Sequence, residues 1–393
     1  MKHRAVIVGG GFGGVKTALA LSDDRRFHVT LVADHTNFRY YPTLYRTATG
    51  GKKMISSIPL DEIFAGKRVN IIHDRAMDLD RQKRTVKTKV GHTVGYESLV
   101  LAMGVKTNYF GISGLKELSY GIKTNAEAEA LKAHLHKQLA DDNKPDLNYV
   151  IVGGGPSGIE LAGVLPTYLR QILKKHGLER RAIHVDLIEA APRLVPRMPK
   201  DVSRRIAKHL RKLGVKLYLG TTVQAQTADA LMVNNKPIHS HTVIWTAGTS
   251  NNEFFAKHDF QLAKNGKVRT DQFLQSEQGI YVIGDNADTP YSGMAQTALH
   301  DANFIAGHLI RLANKEDPVP YHAKKPIFVF PTGHHWAAVL WGKIRIYGLF
   351  GWILRSLADL VAYHDYEPWQ IASKRWVAVD DTEESCPICF QKQ

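Results

Sequence analysis

Two glycine-rich turns of the same design are the parts of this chain best suited to chemistry. They lie within residues 5–14 and 149–158. In each stretch a short β-branched run is followed by the pattern G-x-G-x-x-G. The glycines permit a tight turn and a close approach to a pyrophosphate, which the N-terminal N–H groups of the following helix attract. One such turn predicts one dinucleotide. Two predict that electrons pass from a nicotinamide to a flavin.

Each turn supplies candidate cofactor contacts. The sequence after each turn predicts a helix and then a second strand that ends near an acid, Asp34 or Glu189. Such a carboxylate binds a ribose hydroxyl, and the competing interpretation is a solvated strand end. Because a carboxylate repels a 2′-phosphate, Glu189 favours NADH over NADPH, with Arg193 close by in sequence. The contacts predicted within the turns are Gly9, Gly11, Phe12 and Gly14, then Gly153, Gly155 and Gly158.

Three further apolar strands end in glycine, where a backbone can approach a ligand closely. Gly104 and Gly248 end two of them, and Gly284 ends the third, immediately before Asp285. Asp285 can bind a hydroxyl of a sugar alcohol. A Gly-Asp pair on its own is more often a simple turn. Beside two nucleotide-binding turns, we interpret this pair as part of the first cofactor site.

The order of the predicted elements indicates an α/β protein with two Rossmann-like dinucleotide-binding domains, one inserted in the other. The first, discontinuous domain takes residues 1–117 and 263–325, and the second takes 118–262. Residues 326–393 follow as a C-terminal region of different composition. The chain has 393 residues, 44% of them hydrophobic and 23% charged, which is ordinary for two or three globular domains.

The N-terminus leads directly into the first strand without a signal peptide, so we expect a cytoplasmic location. Only two cysteines occur, Cys386 and Cys389, and they exclude a structural disulfide framework. Their C-x-x-C spacing leaves three interpretations open: reducible thiols in a disordered tail, half of a metal site, or a redox relay. No metal ligands are assigned.

The net charge of +15 indicates nucleic acid, an anionic membrane surface or an acidic substrate as a partner. No nucleic-acid-binding motif accompanies the charge, so we predict no nucleic acid. Part of the excess lies in one predicted helical stretch, which is either a solvated helix face or a surface that attracts acidic lipid. Its basic residues are Lys200, Arg204, Arg205, Lys208, Arg211, Lys212 and Lys216.

Residues 347–363 form the most apolar stretch of the chain. At about 1.5 Å per residue, a helix of these 17 residues falls short of a bilayer core of roughly 30 Å. Arg355 and Asp359, four positions apart, would share one face of it. A buried helix and a helix lying in a membrane surface compete as interpretations. The aromatic residues and the nearby basic excess favour the membrane surface, and those aromatics are Tyr347, Phe350, Trp352 and Tyr363.

The order of these motifs resembles that of type II NADH dehydrogenases, the single-chain, non-pumping NADH:quinone oxidoreductases. The resemblance covers about residues 4–365 and includes the stretches 42–50 and 295–300. It implies that the first turn binds FAD and the second NADH, and that a membrane quinone accepts the electrons. It also implies a homodimer and a peripheral position on the cytoplasmic face of the cell membrane, with helix 347–363 on an anionic surface.

The resemblance also assigns roles to single residues. Glu160 matches a glutamate that has been suggested to relay protons near the nicotinamide and quinone sites. Ala295 and Gln296 match the start of the quinone-site motif A-Q-x-A-x-Q, in which His300 replaces the last glutamine. His300 adds a group that titrates near neutral pH. The predicted catalytic residues are therefore Glu160, Gln296 and His300.

Two other departures from the family pattern concern structure. The family acid at the end of the second strand usually stands where this chain has Ala33, so Asp34 needs a bulge or register shift to replace it. The usual second C-terminal amphipathic helix is not evident, because residues 366–393 become polar. The alternatives are a soluble NADH-dependent reductase of a small electron-carrier protein and an NADH-sensing interaction flavoprotein.

Overall fold

The computed structural model describes residues 2–140 and 146–382. Cys386 and Cys389 therefore lie outside the described residues. The helices are α1 (Phe12–Ser22), α2 (Leu44–Ala48), α3 (Leu60–Ile63), α4 (Leu115–Leu118), α5 (Asn125–Ala140), α6 (Pro156–Lys175), α7 (Lys200–Lys212), α8 (Glu253–Lys257), α9 (Ala295–Ala313), α10 (Leu349–His364) and α11 (Trp369–Ala378).

The strands alternate with these helices along most of the chain. They are β1 (His3–Val8), β2 (Phe27–Ala33), β3 (Asn37–Arg39), β4 (Ser57–Pro59), β5 (Val69–His73), β6 (Ala76–Asp80), β7 (Thr85–Thr88), β8 (Thr93–Gly95), β9 (Ser98–Leu101), β10 (Val105–Thr107), β11 (Asn148–Val152), β12 (His184–Glu189), β13 (Val215–Leu219), β14 (Val223–Gln226), β15 (Ala230–Val233), β16 (Lys236–His239), β17 (Thr242–Trp245), β18 (Thr249–Asn251), β19 (Gln275–Glu277), β20 (Ile280–Val282), β21 (Phe328–Pro331), β22 (Ala337–Trp341) and β23 (Ile344–Gly348).

The chain forms two compact units, each assembled from three separate stretches. The first unit takes Met1–Arg39, Ser57–Lys106 and Thr249–Pro326, and the second takes Tyr40–Ser56, Thr107–Gly248 and Ile327–Gln393.

The first unit is built around a six-stranded sheet in the order β19-β20-β9-β1-β2-β5. β1 runs parallel to β2 and β9, with Val8 opposite both Val32 and Leu101. All four residues of β9 and the last four of β1 are buried, as in parallel strands covered on both faces. Since β20 is also parallel to β9, the glycine turn, Gly104 and Gly284 all follow the same edge of the sheet.

The second unit contains a four-stranded parallel sheet in the order β13-β12-β11-β17. Val152 lies opposite both Ile188 and Trp245. The second glycine turn, Glu189 and Gly248 therefore meet at the carboxyl ends of neighbouring strands. α5 and α6 contribute many residues to the main core of this unit, and α6 packs on β11, β12 and β13.

An antiparallel sheet in the order β21-β22-β23 and the helices α10 and α11 complete the second unit. The apolar helix begins at Leu349 rather than Tyr347, because Tyr347 and Gly348 pair with β22 as the end of β23. The expectation that a second C-terminal helix is missing was wrong, since α11 packs against α10. α11 buries the charged Arg375, and this placement obscured its amphipathic pattern.

No helix in the described part of the chain is long and apolar enough to cross a membrane.

Candidate functional site

The first glycine turn contains an open cradle for a dinucleotide. A Cβ on Gly9 would collide with the carbonyl oxygen of Ala102, and one on Gly14 would collide with the carbonyl oxygen of Gly9. Those two glycines are thus required by the packing of the turn on its own strand and helix. A Cβ on Gly11 would meet nothing within 4 Å. The open space at Gly11, at the N-terminus of α1, suits a pyrophosphate.

The second turn repeats this arrangement. Gly153 packs against the backbone of Ala247, and a Cβ on Gly158 would collide with the carbonyl oxygen of Gly153. Gly155 has open space around its Cβ position and caps the N-terminus of α6 without a side-chain hydrogen bond. Both turns therefore fit a dinucleotide pyrophosphate, as their sequences predicted.

Glu189 lies directly beside the second turn. One oxygen of its carboxylate accepts a hydrogen bond of 2.6 Å from the Gly154 N–H, and the other accepts one of 2.7 Å from the Ala191 N–H. These bonds fix the carboxylate at the end of β12. Arg193 does not compete for the same place, because its guanidinium donates to the carbonyl oxygens of Met198 and Pro196.

Asp34 is placed differently from Glu189. Val8 pairs with Val32 as Val152 pairs with Ile188, so the residue equivalent to Glu189 is Ala33. The Asp34 carboxylate is partly exposed and lies 3.3 Å from the Arg75 guanidinium. The side chain of the next residue, His35, lies against Gly10.

The Gly284–Asp285 turn is held by residues that the sequence reasoning did not identify. Asn286 donates to the carbonyl oxygen of Gly104 at 2.7 Å and accepts from the Gly104 N–H at 2.9 Å. This pair of bonds ties together two strand ends that were predicted separately. The Gly284 N–H donates to the buried carboxylate of Asp301 at 2.9 Å. Phe12, which was predicted as a cofactor contact, is buried in the same unit, and the centroid of its ring lies 5.0 Å from that of Phe38.

Asp301 is the buried anchor of that turn. The Tyr321 hydroxyl donates to its other oxygen at 2.6 Å. Burial raises the pKa of Asp301, while the hydrogen bonds from Tyr321 and Gly284 lower it. No sequence signal identified Asp301, because its role depends on a fold that brings α9 against the Gly284 turn.

The predicted quinone-site residues begin α9. Ala295 is its first residue, and Gln296 is exposed. His300 lies one turn further along, where its Nε2 donates to the carbonyl oxygen of His322 at 2.8 Å. With Nε2 as the donor, a neutral His300 keeps Nδ1 as an acceptor.

Glu160 is the fifth residue of α6, in the second unit. Burial raises its pKa to about 8, against the charges of Arg355 and Arg46, which lower it. At neutral pH a carboxyl group with this pKa is mostly protonated. A small cavity in the same unit is lined by the side chains of Tyr45, Arg46, Arg355 and Asp359, among others.

α10 buries charged residues and exposes apolar ones, which is the reverse of an ordinary surface helix. Its buried stripe repeats every four residues and consists of Gly351, Arg355, Asp359 and Tyr363. Arg355 pairs with Asp359 as the i,i+4 spacing suggested. Tyr363 was expected among the interfacial aromatics, but its hydroxyl is buried and donates to the carbonyl oxygen of Ile55 at 2.6 Å.

The two C-terminal helices expose many large apolar side chains. Phe350 is 73% exposed, Val361 is 56% exposed and Val377 is 63% exposed. We call this set the apolar face, and its members are Leu349, Phe350, Ile353, Leu354, Leu357, Val361, Trp369, Ile371 and Val377. Large exposed apolar patches are typical of interaction surfaces.

The basic residues of α7 form a solvated face. Val202, Ile206 and Leu210 are buried on one side of the helix. The seven basic residues that the sequence singled out, including Lys216 on β13, are all exposed. This exposure is compatible with both interpretations of that stretch.

Comparisons with known proteins agree with this geometry. The model of the pyridine nucleotide-disulphide oxidoreductase family matches residues 3–302. A type II NADH:quinone oxidoreductase from Staphylococcus aureus is 24% identical over 341 residues, which are 80% of this chain and 84% of that protein.

Solved structures share the fold. NDH2 from Plasmodium falciparum, in complex with NADH, has a TM-score of 0.87 at 16% identity, covering 98% of this chain and 99% of that one. The sulfide:quinone oxidoreductase from Aquifex aeolicus has a TM-score of 0.77 at 19% identity, covering 94% and 92% of the two chains.

The prediction of an α/β flavoprotein that uses FAD and NADH is confirmed, as is its resemblance to type II NADH dehydrogenases. The family match spans both glycine turns, the Gly284–Asp285 turn and the start of α9. The chain belongs to the pyridine nucleotide-disulphide oxidoreductase family.

Proposed function

We propose that this chain is a non-proton-pumping NADH:quinone oxidoreductase. The observation that carries the proposal is the combination of two open dinucleotide cradles, at Gly11 and Gly155, with the apolar face. The cradles provide for a nicotinamide and a flavin, and the apolar face provides access to an acceptor dissolved in lipid. The relative from Staphylococcus aureus carries the same activity in its name.

The first turn holds FAD in this proposal, together with Gly104, Gly284, Asp285, Ala295 and Gln296. The second turn holds NADH, with Glu189 and Gly248. Bound there, FAD would supply the redox chemistry between NADH and a quinone. The protein positions the two dinucleotides and controls protons. We further propose membrane attachment through the apolar face on the cytoplasmic side, and assembly as a homodimer.

Proton supply is the part of the reaction that side chains must perform. Reduction of a quinone to a quinol takes two electrons and two protons, and NADH brings both electrons but one proton. The second proton has to come from the protein or solvent. Glu160, with a pKa of about 8, holds such a proton at neutral pH and is our first candidate donor. His300 is the second.

The start of α9 offers a test that separates the two half-reactions. His300→Ala should leave the reduction of the flavin by NADH unchanged, because His300 belongs to neither set of cofactor contacts. Reoxidation of the flavin by a quinone should slow by about tenfold or more, as for the loss of a proton donor or a positioning contact. Anaerobic rapid mixing followed at the flavin absorbance measures both steps.

His322→Ala is the matched control, since the carbonyl oxygen that His300 contacts belongs to the backbone and survives the substitution. Equal losses in both half-reactions would contradict the assignment of α9 to the quinone. A chain that reduces a small iron–sulfur protein but no quinone would be the soluble reductase instead.

A further inference from the structure

The end of β2 carries a cofactor contact that the glycine pattern does not reveal. In the second unit, a Cβ placed on Gly154 would lie 2.9 Å from an oxygen of Glu189 and 3.0 Å from its Cβ. A Cβ placed on Gly10, the equivalent residue of the first turn, would lie 3.0 Å from Ala33 Cβ and 2.8 Å from His35 Cε1. Beside Gly154 this space is filled by Glu189 together with Leu194 Cδ2, which lies 2.7 Å from the same Cβ position, and beside Gly10 it is filled by Ala33 and His35.

Asp34 and His35 are the two candidates for a cofactor contact after β2, and their side chains are placed differently. The Asp34 carboxylate turns toward Arg75, at 3.3 Å, and is 41% exposed. The His35 side chain is 18% exposed, and its Nδ1 is buried without a hydrogen-bond partner among the described residues. A buried ring nitrogen without a partner calls for an explanation, and a ligand at the dinucleotide turn would provide one.

We propose that His35 takes the place of the usual carboxylate and hydrogen-bonds the adenosine ribose of FAD through Nδ1. Ala33 leaves room for the imidazole ring beside Gly10, and Asp34 acts as a surface partner of Arg75. The imidazole presents one nitrogen to the ribose as donor or acceptor, according to its tautomer. The first turn thereby recognises the adenosine end of its cofactor without a carboxylate.

The state of the ring agrees with this role. Burial and the positive charge of Arg39 lower the pKa of His35, while Asp34 and a backbone interaction with Asn37 raise it. Because its pKa is lowered, the imidazole is neutral at pH 7, and a neutral ring is the form that suits a largely buried site. Its Nε2 lies 3.6 Å from the Asp34 carboxylate, which leaves Nδ1 as the nitrogen directed into the unit.

The test compares flavin binding by full-length variants. His35→Ala should raise the dissociation constant of FAD by about tenfold, the loss expected for one hydrogen bond to a buried group. FMN lacks the adenosine, so its dissociation constant should not change. His35→Gln, whose amide also donates and accepts, should recover part of the affinity. Asp34→Asn should leave both flavins unaffected. Flavin fluorescence during release and rebinding gives all of these constants.

Two results would overturn the assignment of His35. One is a similar loss for FAD and FMN in His35→Ala, which would indicate a purely structural role. The other is a larger FAD-specific loss in Asp34→Asn than in either His35 variant. If His35→Ala does not fold, the rise in unfolding temperature that FAD causes in His35→Gln decides the question. This rise should be smaller than the rise in the parent chain. An equal rise in the two proteins would refute the contact.

The inference rests on the proposed assignment of FAD to the first turn, and Gly11→Ala tests that assignment separately. Gly11 has φ −94° and open space at its Cβ, so alanine fits the protein and fills the pyrophosphate cradle. Loss of FAD in Gly11→Ala with normal binding in His35→Ala would refute the role of His35 alone. Normal FAD binding in Gly11→Ala would refute the assignment of the turn.

Discussion

The Tyr40 hydroxyl donates a hydrogen bond of 2.5 Å to the carboxylate of Asp359, across 319 positions of the chain. The same carboxylate pairs with Arg355. Tyr40 is 2% exposed, and the side chains of Arg355 and Asp359 are 12% and 6% exposed. Two charges on an otherwise apolar helix are thus enclosed by the second unit, and they neutralise each other.

Removing one member of this pair should be costly. Asp359→Leu leaves the Arg355 guanidinium buried without its partner, so we expect the free energy of unfolding to fall by about 3–5 kcal/mol. The double variant Arg355→Met with Asp359→Leu should be more stable than the single variant, since it buries no unpaired charge. Urea denaturation measures both. A double variant that is less stable than the single one would contradict the idea that the unpaired charge of Arg355 causes the loss.

The pKa of Glu160 predicts how stability depends on pH. A carboxyl group whose pKa is raised on folding stabilises the folded state at low pH. For Glu160 this contribution is complete below the ordinary carboxyl pKa near 4.5 and is lost as the pH rises through about 8. Glu160→Gln should therefore gain stability relative to the parent chain between these values, by up to about 1.4 kcal/mol per pH unit.

Urea midpoints at several pH values between 5 and 9 give this comparison. Glu129→Gln is the control, because Glu129 is an exposed residue of the same type in the same unit. Parallel pH profiles for the parent chain and Glu160→Gln would contradict the raised pKa.

The choice between NADH and NADPH should depend on Glu189. Glu189→Gln removes the charge that repels a 2′-phosphate but keeps an acceptor for the Gly154 N–H. We expect kcat/KM for NADPH to rise relative to NADH by about tenfold, which corresponds to roughly 1.4 kcal/mol. Flavin reduction with each nucleotide measures the ratio, and Glu129→Gln again serves as the control. An unchanged ratio would mean that the carboxylate serves only to order the turn.

The apolar face should control binding to lipid. Replacing Phe350, Leu357 and Val361 together by serine removes exposed apolar surface without touching the buried stripe of α10. Flotation with vesicles containing anionic lipid should then fall by about tenfold or more, as lost apolar burial at a membrane surface implies. NADH should still reduce the flavin. The control is Leu312→Ser, an exposed leucine at the end of α9, and equal flotation of both variants would place lipid binding elsewhere.

The local features of the site could be predicted from the sequence, while its long-range contacts could not. The glycine turns are short-range patterns in which each residue has a steric reason, so their strands and helices were correctly expected. The i,i+4 spacing of Arg355 and Asp359 predicted a pair on one face. It did not show that this face is buried, because the covering residue, Tyr40, is 319 positions away. For the same reason Asn286 and Asp301 escaped notice.

The second unit also depends on both ends of its sequence being present. Tyr40 contacts Asp359, the carbonyl of Ile55 accepts from Tyr363, and that of Met54 accepts from Arg375 at 2.7 Å. During synthesis, the segment 40–56 leaves the ribosome some 300 residues before these partners do. α2 can pack against α5 and α6 as soon as those helices are made, but the parts of the segment that α10 and α11 cover stay uncovered until nearly the whole chain has been made. Premature termination before α10 would therefore leave an unfinished unit that is prone to aggregation, rather than a working enzyme that lacks only its last two helices.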